Sequence, residues 1–173
     1  MIFKKYLIVF LALSFSLNAQ QRANQAKKEI PVLHEVSNKD IVQSVYPDAI
    51  KVDKINNFWF RILDGNNQVL GFAMSSSPYC KDVIGYNDVT PIMIITDKKW
   101  TIQKVSLLTH YETISYVKRL EKKGFFNLWV GKTLAEAKKV ELDGYTGATC
   151  TAIAVSKNIN YLLENGVKVL PKK

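Results

Sequence analysis

Four residues, Asp64-Gly65-Asn66-Asn67, constrain the fold of this chain more than any other stretch. Asp, Asn and Gly supply the left-handed and side-chain-bonded conformations of a tight turn. An aromatic and β-branched run, Asn57 to Leu63, precedes the turn, and an apolar run, Val69 to Met74, follows it. Two apolar arms on one tight turn predict an antiparallel hairpin. Ile50 to Ile55 partly alternates and adds a strand. Pro91 to Thr96 is continuously apolar, and Ile102 to Thr109 alternates. Between them Asp97-Lys98-Lys99 breaks the chain, which predicts another antiparallel pair. Ser75-Ser76-Ser77-Pro78 separates the two hairpins and, with no paired acid or base, reads as a loop.

The remaining periodic segments are helical. Ser37-Asn38-Lys39-Asp40 reads as a helix start, with Ile41, Val42 and Val45 on its apolar face and Pro47 as its end. Glu112 to Lys123 carries Ile114, Val117 and Leu120 at helical spacing, with Gly124 as the stop. Thr133-Leu134-Ala135-Glu136 is a capping-box pattern. A long helix starts near Thr149, has Ile153, Ile159, Leu162 and Leu163 among its apolar positions, and closes at Gly166. Hairpin-connected strands with grouped helices predict an α+β fold, an antiparallel sheet with helices packed against it. A doubly wound α/β fold is disfavoured, because strands and helices do not alternate and no GxGxxG follows a strand.

The chain of 173 residues is long enough for one domain with a real core. Its beginning reads as a secretory signal peptide over residues 1–19. Lys4 and Lys5 precede an apolar run from Tyr6 to Leu17, and Asn18-Ala19-Gln20 supplies a small residue for cleavage. The run is short for a membrane span, which needs about 20 residues; the alternative is an uncleaved N-terminal helix anchored in the cytoplasmic membrane. Residues 20–36 are polar and expected to be flexible, and residues 37–173 form the single domain. Loss of the two lysines Lys4 and Lys5 lowers the formal net charge from +9 to +7. Export to the periplasm, or otherwise outside the cytoplasm, permits a disulfide between Cys80 and Cys150, but both also fit as small buried thiols. His34 and His110 are the only histidines and lack metal-ligand spacing. No nucleic-acid motif is present.

Chemistry concentrates in Asp143-Gly144-Tyr145-Thr146-Gly147-Ala148-Thr149, just before the long helix. A helix N-terminus offers unpaired N–H donors and a positive dipole end, which favour phosphate. Gly147 and Ala148 keep side-chain bulk away, and Thr149 adds a hydroxyl. Asp143 is repulsive to a phosphate and fits a turn cap or a Mg²⁺-proximal group. On residue mechanics alone the segment reads equally as a loop and helix cap with no ligand.

The segment resembles the flavinylation signature D-x-x-[S/T]-G-A-T of FMN-binding domains. Such domains occur in the C subunit of the sodium-translocating NADH:quinone reductase and the G subunit of the Rnf complex. The resemblance implies FMN joined by a phosphoester to Thr149, installed from FAD by a separate flavin transferase using Mg²⁺. Asp143, Thr146, Gly147 and Ala148 fill its other specified positions, and Cys150 follows the attachment residue. Gly85-Tyr86 with Pro91-Ile92 is similar to the family's G-Y-x-G-P-I segment, with a longer insertion, Asn87 to Thr90. Glu112-Thr113 matches its E-T segment and Trp129-Val130-Gly131-Lys132 its W-x-G-K turn. Together these cover about residues 70 to 163. One departure is that the family's E-T-P-G here reads Glu112-Thr113-Ile114-Ser115.

By the same resemblance, Glu112 and Thr113 are candidate partners of the flavin ring edge or ribityl chain; equally, they begin the following helix. Tyr86, Tyr116, Tyr145 and Trp129 are candidate stacking residues, or core and pocket wall. No separate catalytic residue stands out. The implied function is an electron-relaying flavoprotein outside the cytoplasm, partnered by the flavin transferase and by a redox protein or a membrane electron-transport complex. The alternatives are a flavin-dependent reductase of a small substrate and a flavin-free binding module of the same fold.

Overall fold

Five strands form one antiparallel sheet in which order in space is order in the chain. They are β1 (Lys51–Lys54), β2 (Trp59–Leu63), β3 (Val69–Ser75), β4 (Ile92–Thr96) and β5 (Ile102–Leu107). The computed structural model describes residues 30–142 and 148–172; the expected signal segment and Asp143 to Gly147 lie outside these. Both expected hairpins form, and both turns are built on an aspartate. Asp64 Oδ1 accepts the N–H groups of Asn66 and Gln68, each at 2.8 Å, and Asn67 takes a left-handed φ of 59°. Asp97 Oδ1 accepts those of Lys99 at 2.7 Å and Thr101 at 2.9 Å, and Trp100 takes φ 69°. A short acceptor that bonds two residues ahead reproduces a backbone turn.

The continuous apolar run of β4 reflects burial on both faces. Ile92 and Ile94 face a core shared with Trp59, Phe72, Met74 and Val105. Met93 and Ile95 face a second core with Ile62, Ala73, Ile41 and Val42. Helix α1 (Asn38–Gln43) covers the second face. Its cap, Ser37, accepts the N–H of Asp40 at 3.2 Å. On the first face lie α2 (Ile114–Lys122), a 3₁₀ turn (Phe125–Leu128), α3 (Leu134–Ala137) and α4 (Thr149–Gly166). Gly124 stops α2 at a left-handed φ of 69°. Thr133 and Glu136 make the complete reciprocal capping box of α3.

One detail departs from the expected pattern. Ile153 is 48 % exposed, because the buried stripe of α4 runs through Ala152, Val155, Ile159, Leu162 and Leu163, and Ile153 falls outside it. Gly166 is the last residue of the helix, as expected, with helical φ and ψ, and the chain then tightens into a 3₁₀ turn, Val167–Val169. A Cβ there would lie 2.4 Å from Met74 Sδ, and the Gly166 carbonyl accepts the Trp59 indole N–H at 2.9 Å. Glycine serves close packing at that point. Of the segment expected to be flexible, residues 34–36 are tied down. The His34 N–H donates to the His110 carbonyl at 2.7 Å, His110 returns the bond at 3.1 Å, and the Val36 N–H donates to Thr109 Oγ1 at 3.0 Å.

Gly71 shows how closely α1 and its following loop approach the sheet. A Cβ would meet the Thr96 carbonyl at 2.4 Å and the Tyr46 hydroxyl at 2.5 Å, where Tyr46 donates to that same carbonyl at 3.1 Å. Gly71→Ala is expected to destabilise the fold by about 2 kcal/mol through overpacking. Gly65→Ala, whose Cβ would meet only Ile50 Cδ1 at 3.4 Å, should change stability by less than about 0.5 kcal/mol. Urea unfolding of both variants checks this; equal midpoints would contradict the close approach.

Candidate functional site

Among the described residues Glu112 is the one acid with a fully buried side chain, at 0 % exposure. A carboxylate leaves water at a cost of several kcal/mol unless its acceptor positions are filled. Here they are. Oε1 accepts the N–H groups of Asn87 at 2.9 Å and Asp88 at 3.3 Å. Oε2 accepts the Tyr86 N–H at 3.1 Å and the Thr151 hydroxyl. Three successive amides of one loop therefore converge on one side chain, and the fourth donor comes from the first turn of α4.

The loop is shaped for this. An Ile84–Val89 bridge closes it, and the Gly85 N–H donates to the Asp88 carbonyl at 2.8 Å. A Cβ at Gly85 would lie 2.6 Å from Glu112 Oε1 and 2.7 Å from Thr90 Cγ2, so only glycine lets the backbone wrap the carboxylate. The insertion Asn87 to Thr90 supplies two of the three amides and a further pair of bonds. Asn87 Nδ2 donates to Thr113 Oγ1 at 3.0 Å and to the Tyr111 carbonyl at 3.2 Å. Deeper in the fold, Asn158 Nδ2 of α4 donates to the Thr90 carbonyl at 2.7 Å and to its hydroxyl oxygen at 3.2 Å. The loop is thus tied to α4 at both of its ends.

The structure brings Tyr86, Glu112, Thr113 and the first turn of α4 into one neighbourhood. Thr149 opens that helix and is exposed, as is Cys150, while Ala148 holds the N-cap position and is buried. Asp143, Thr146, Gly147 and Tyr145 lie outside the described residues. Tyr86 and Tyr111 are exposed, and Tyr116 meets Tyr86 edge-on with ring centres 5.0 Å apart. Trp129 is a core residue. It is buried against Phe125 at 5.3 Å, in a turn where Gly131 takes φ 78° and donates its N–H to the Ile102 carbonyl. Cys80 is buried and Cys150 exposed, and both are free thiols. Thr151, Asn87 and Asn158 were not singled out from the sequence. The one available signal was a lone acid between a buried strand and a helix, which demands donors without naming them.

Residues 85–164 match the model of the FMN-binding domain family. The match covers 80 of the 173 residues. The matched span starts at Gly85, the glycine against Glu112, and ends in the last turn of α4, so the whole loop–Glu112–Thr151 arrangement lies inside it. Among solved structures, NqrC from Shewanella oneidensis is similar, with 16 % identity, 86 % of this chain and 88 % of that chain covered, and a TM-score of 0.43. A search of curated proteins gives no match.

The described residues of the matched span fit a phosphate-bearing ligand at the start of α4. An 18-residue helix directs its positive end there, and its N-cap, Ala148, makes no side-chain cap bond. Glu112 does not compete for that role, since its oxygens already take up donors of the loop and of Thr151. Its contribution is to hold the loop and the helix start in register.

Removing the acceptor should loosen this register. Glu112→Ala leaves three part-buried amides and one buried hydroxyl without their partner and is expected to cost about 2–4 kcal/mol. Amide hydrogen exchange at Tyr86, Asn87 and Asp88 should accelerate more than in the sheet; unchanged protection at those amides would refute the clamp. A pH dependence follows from His110. Burial lowers its pKa, and neighbouring His34 lowers it further against a smaller opposing effect of Glu112. The Glu112 N–H donates to His110 Nδ1 at 3.0 Å, which requires the neutral ring. A histidine whose folded pKa lies below its unfolded one binds more protons when unfolded, so stability falls as pH drops through about 6.5. Urea midpoints between about pH 7.5 and 5.5 should decline less steeply for His110→Gln than for the natural chain.

Proposed function

We propose that this protein is an exported flavoprotein that carries FMN in phosphoester linkage on Thr149 and relays electrons outside the cytoplasm. The observation that carries the reading is the position of Thr149. It is an exposed threonine at the first residue of a long helix, at the end of D-x-x-T-G-A-T, within the span that matches the FMN-binding domain family. A threonine on the surface is within reach of a modifying enzyme, and amides at a helix start stabilise the charge that a phosphodiester retains.

When bound, FMN supplies the redox chemistry, and the protein supplies position and surroundings. Glu112 fixes the loop carrying Tyr86 against the first turn of α4. Asn87 does the same for Thr113, and Asn158 holds the far end of the loop. Exposed Tyr86 and Tyr111 leave an aromatic surface beside the attachment residue, suited to a flat ring. Covalent linkage keeps the cofactor on a protein that works in an open compartment. In this reading the partners are a flavin transferase, acting once with FAD and Mg²⁺, and then a redox protein or a membrane electron-transport complex. The apolar run from Tyr6 to Leu17 directs export, with Ala19 as the last residue removed.

Co-expression with a flavin transferase and intact-mass measurement tests the attachment. One FMN phosphoryl adduct is expected on the natural chain and none on Thr149→Ala. An unmodified natural chain, or an adduct that persists in the variant, would reject the proposal.

A further inference from the structure

Helix α2 presents its positive charge on one side. Ser115, Lys118, Arg119, Lys122 and Lys123 are all exposed and line one shallow surface depression. Their three- and four-residue spacing places them on a common face. Val117 and Leu120, opposite, are buried. The one acid of the helix, Glu121, lies on the flank that shares a cavity with Ser106 and Leu107 of β5.

This face adjoins the candidate site. α2 begins directly after the Glu112–Thr113 pair, and Tyr116 in its first turn meets Tyr86 of the clamped loop. Tyr86 and Tyr111 are 45 % and 41 % exposed. The surface therefore joins a row of four cations along α2 to exposed aromatic residues at the start of that helix. We infer that it is the docking surface for a small acidic electron-transfer protein. What the partner exchanges rests on the FMN reading above; the surface itself does not.

Three features favour a protein over an anionic membrane. A helix that lies on a bilayer needs exposed apolar residues beside its cations, and α2 has its Val117 and Leu120 in the core. Protein interfaces are enriched in Tyr and Arg and keep charge at the rim, which is the pattern here. Complementary charge raises the encounter rate and orients brief complexes without a large buried area, as electron transfer requires.

The test measures affinity for a small acidic [2Fe–2S] ferredoxin by surface plasmon resonance. Lys118→Glu/Lys122→Glu is compared with Lys98→Glu/Lys99→Glu, which changes net charge equally on the β4–β5 turn, at the other end of those strands. The first variant should bind about tenfold more weakly and the second within about twofold of the natural chain, with affinity falling as salt rises. Equal losses from both variants would overturn the inference, because they would report net charge alone. So would absence of ferredoxin binding, including the case where vesicles of phosphatidylcholine and phosphatidylglycerol bind through Lys118 and Lys122 instead. Intact mass of the natural chain, co-expressed with a flavin transferase and used in the same series, separates the two proposals. A natural chain that stays without flavin yet binds ferredoxin through Lys118 and Lys122 keeps the surface and removes the FMN reading. A flavin-bearing chain with equal losses does the reverse.

Discussion

A buried carboxylate with four donors is the constraint around which the functional end of this protein is organised. Glu112 has no exposure and, among the described residues, no counter-cation, so its burial depends on the loop amides and the Thr151 hydroxyl arriving together. Each hydrogen bond to a charged group contributes roughly 1.5–3 kcal/mol, and losing one leaves the others in worse geometry. The arrangement is therefore cooperative. The loop has its shape because Glu112 is there, and α4 has its starting position because the same side chain holds Thr151. Gly85 is the steric condition for all of it.

The sheet and the helices place that carboxylate without sharing in its chemistry. β4 and β5 form a hairpin whose far turn is bonded by Asp97, and whose near end delivers His110, Glu112 and Thr113 in succession. α4 packs across the same sheet through Val155, Ile159 and Leu162, so its N-terminus comes to rest beside Glu112. Hydrophobic packing sets the distance between the two, and a few hydrogen bonds set the register.

Much of this was legible in the sequence. Turns announced by Asp64-Gly65 and Asp97-Lys98 produced the hairpins, because the geometry of an aspartate turn is local. The capping box of Thr133 and Glu136 is local in the same sense. What could not be read were contacts across long sequence separations. Thr151 with Glu112, Asn158 with Thr90, and His34 with His110 pair residues that neither composition nor periodicity links. Ile153 was misread for a related reason, while Gly166 closes its helix as expected but by close packing. Hydrophobicity alone does not say which of several apolar positions faces the sheet, and a glycine near a helix end serves either a turn or a close approach. In the candidate site, Thr149 was singled out from its motif, whereas the positional role of Glu112 depends on which donors meet it in space.

The nearest-neighbour order of the strands has a consequence for how the protein comes into being. Each strand pairs with the one made just before it, so the sheet can assemble by closing short loops, whose entropic cost is small. α4 is different: it joins residues as far back as Trp59 and Thr90. The last helix to be synthesised thus brings both the lid of the core and the fourth donor to Glu112. A chain interrupted before α4 would hold a nearly complete sheet, yet lack the Thr151 donor that completes the loop around Glu112. The core and the clamp of the loop are completed in the same step.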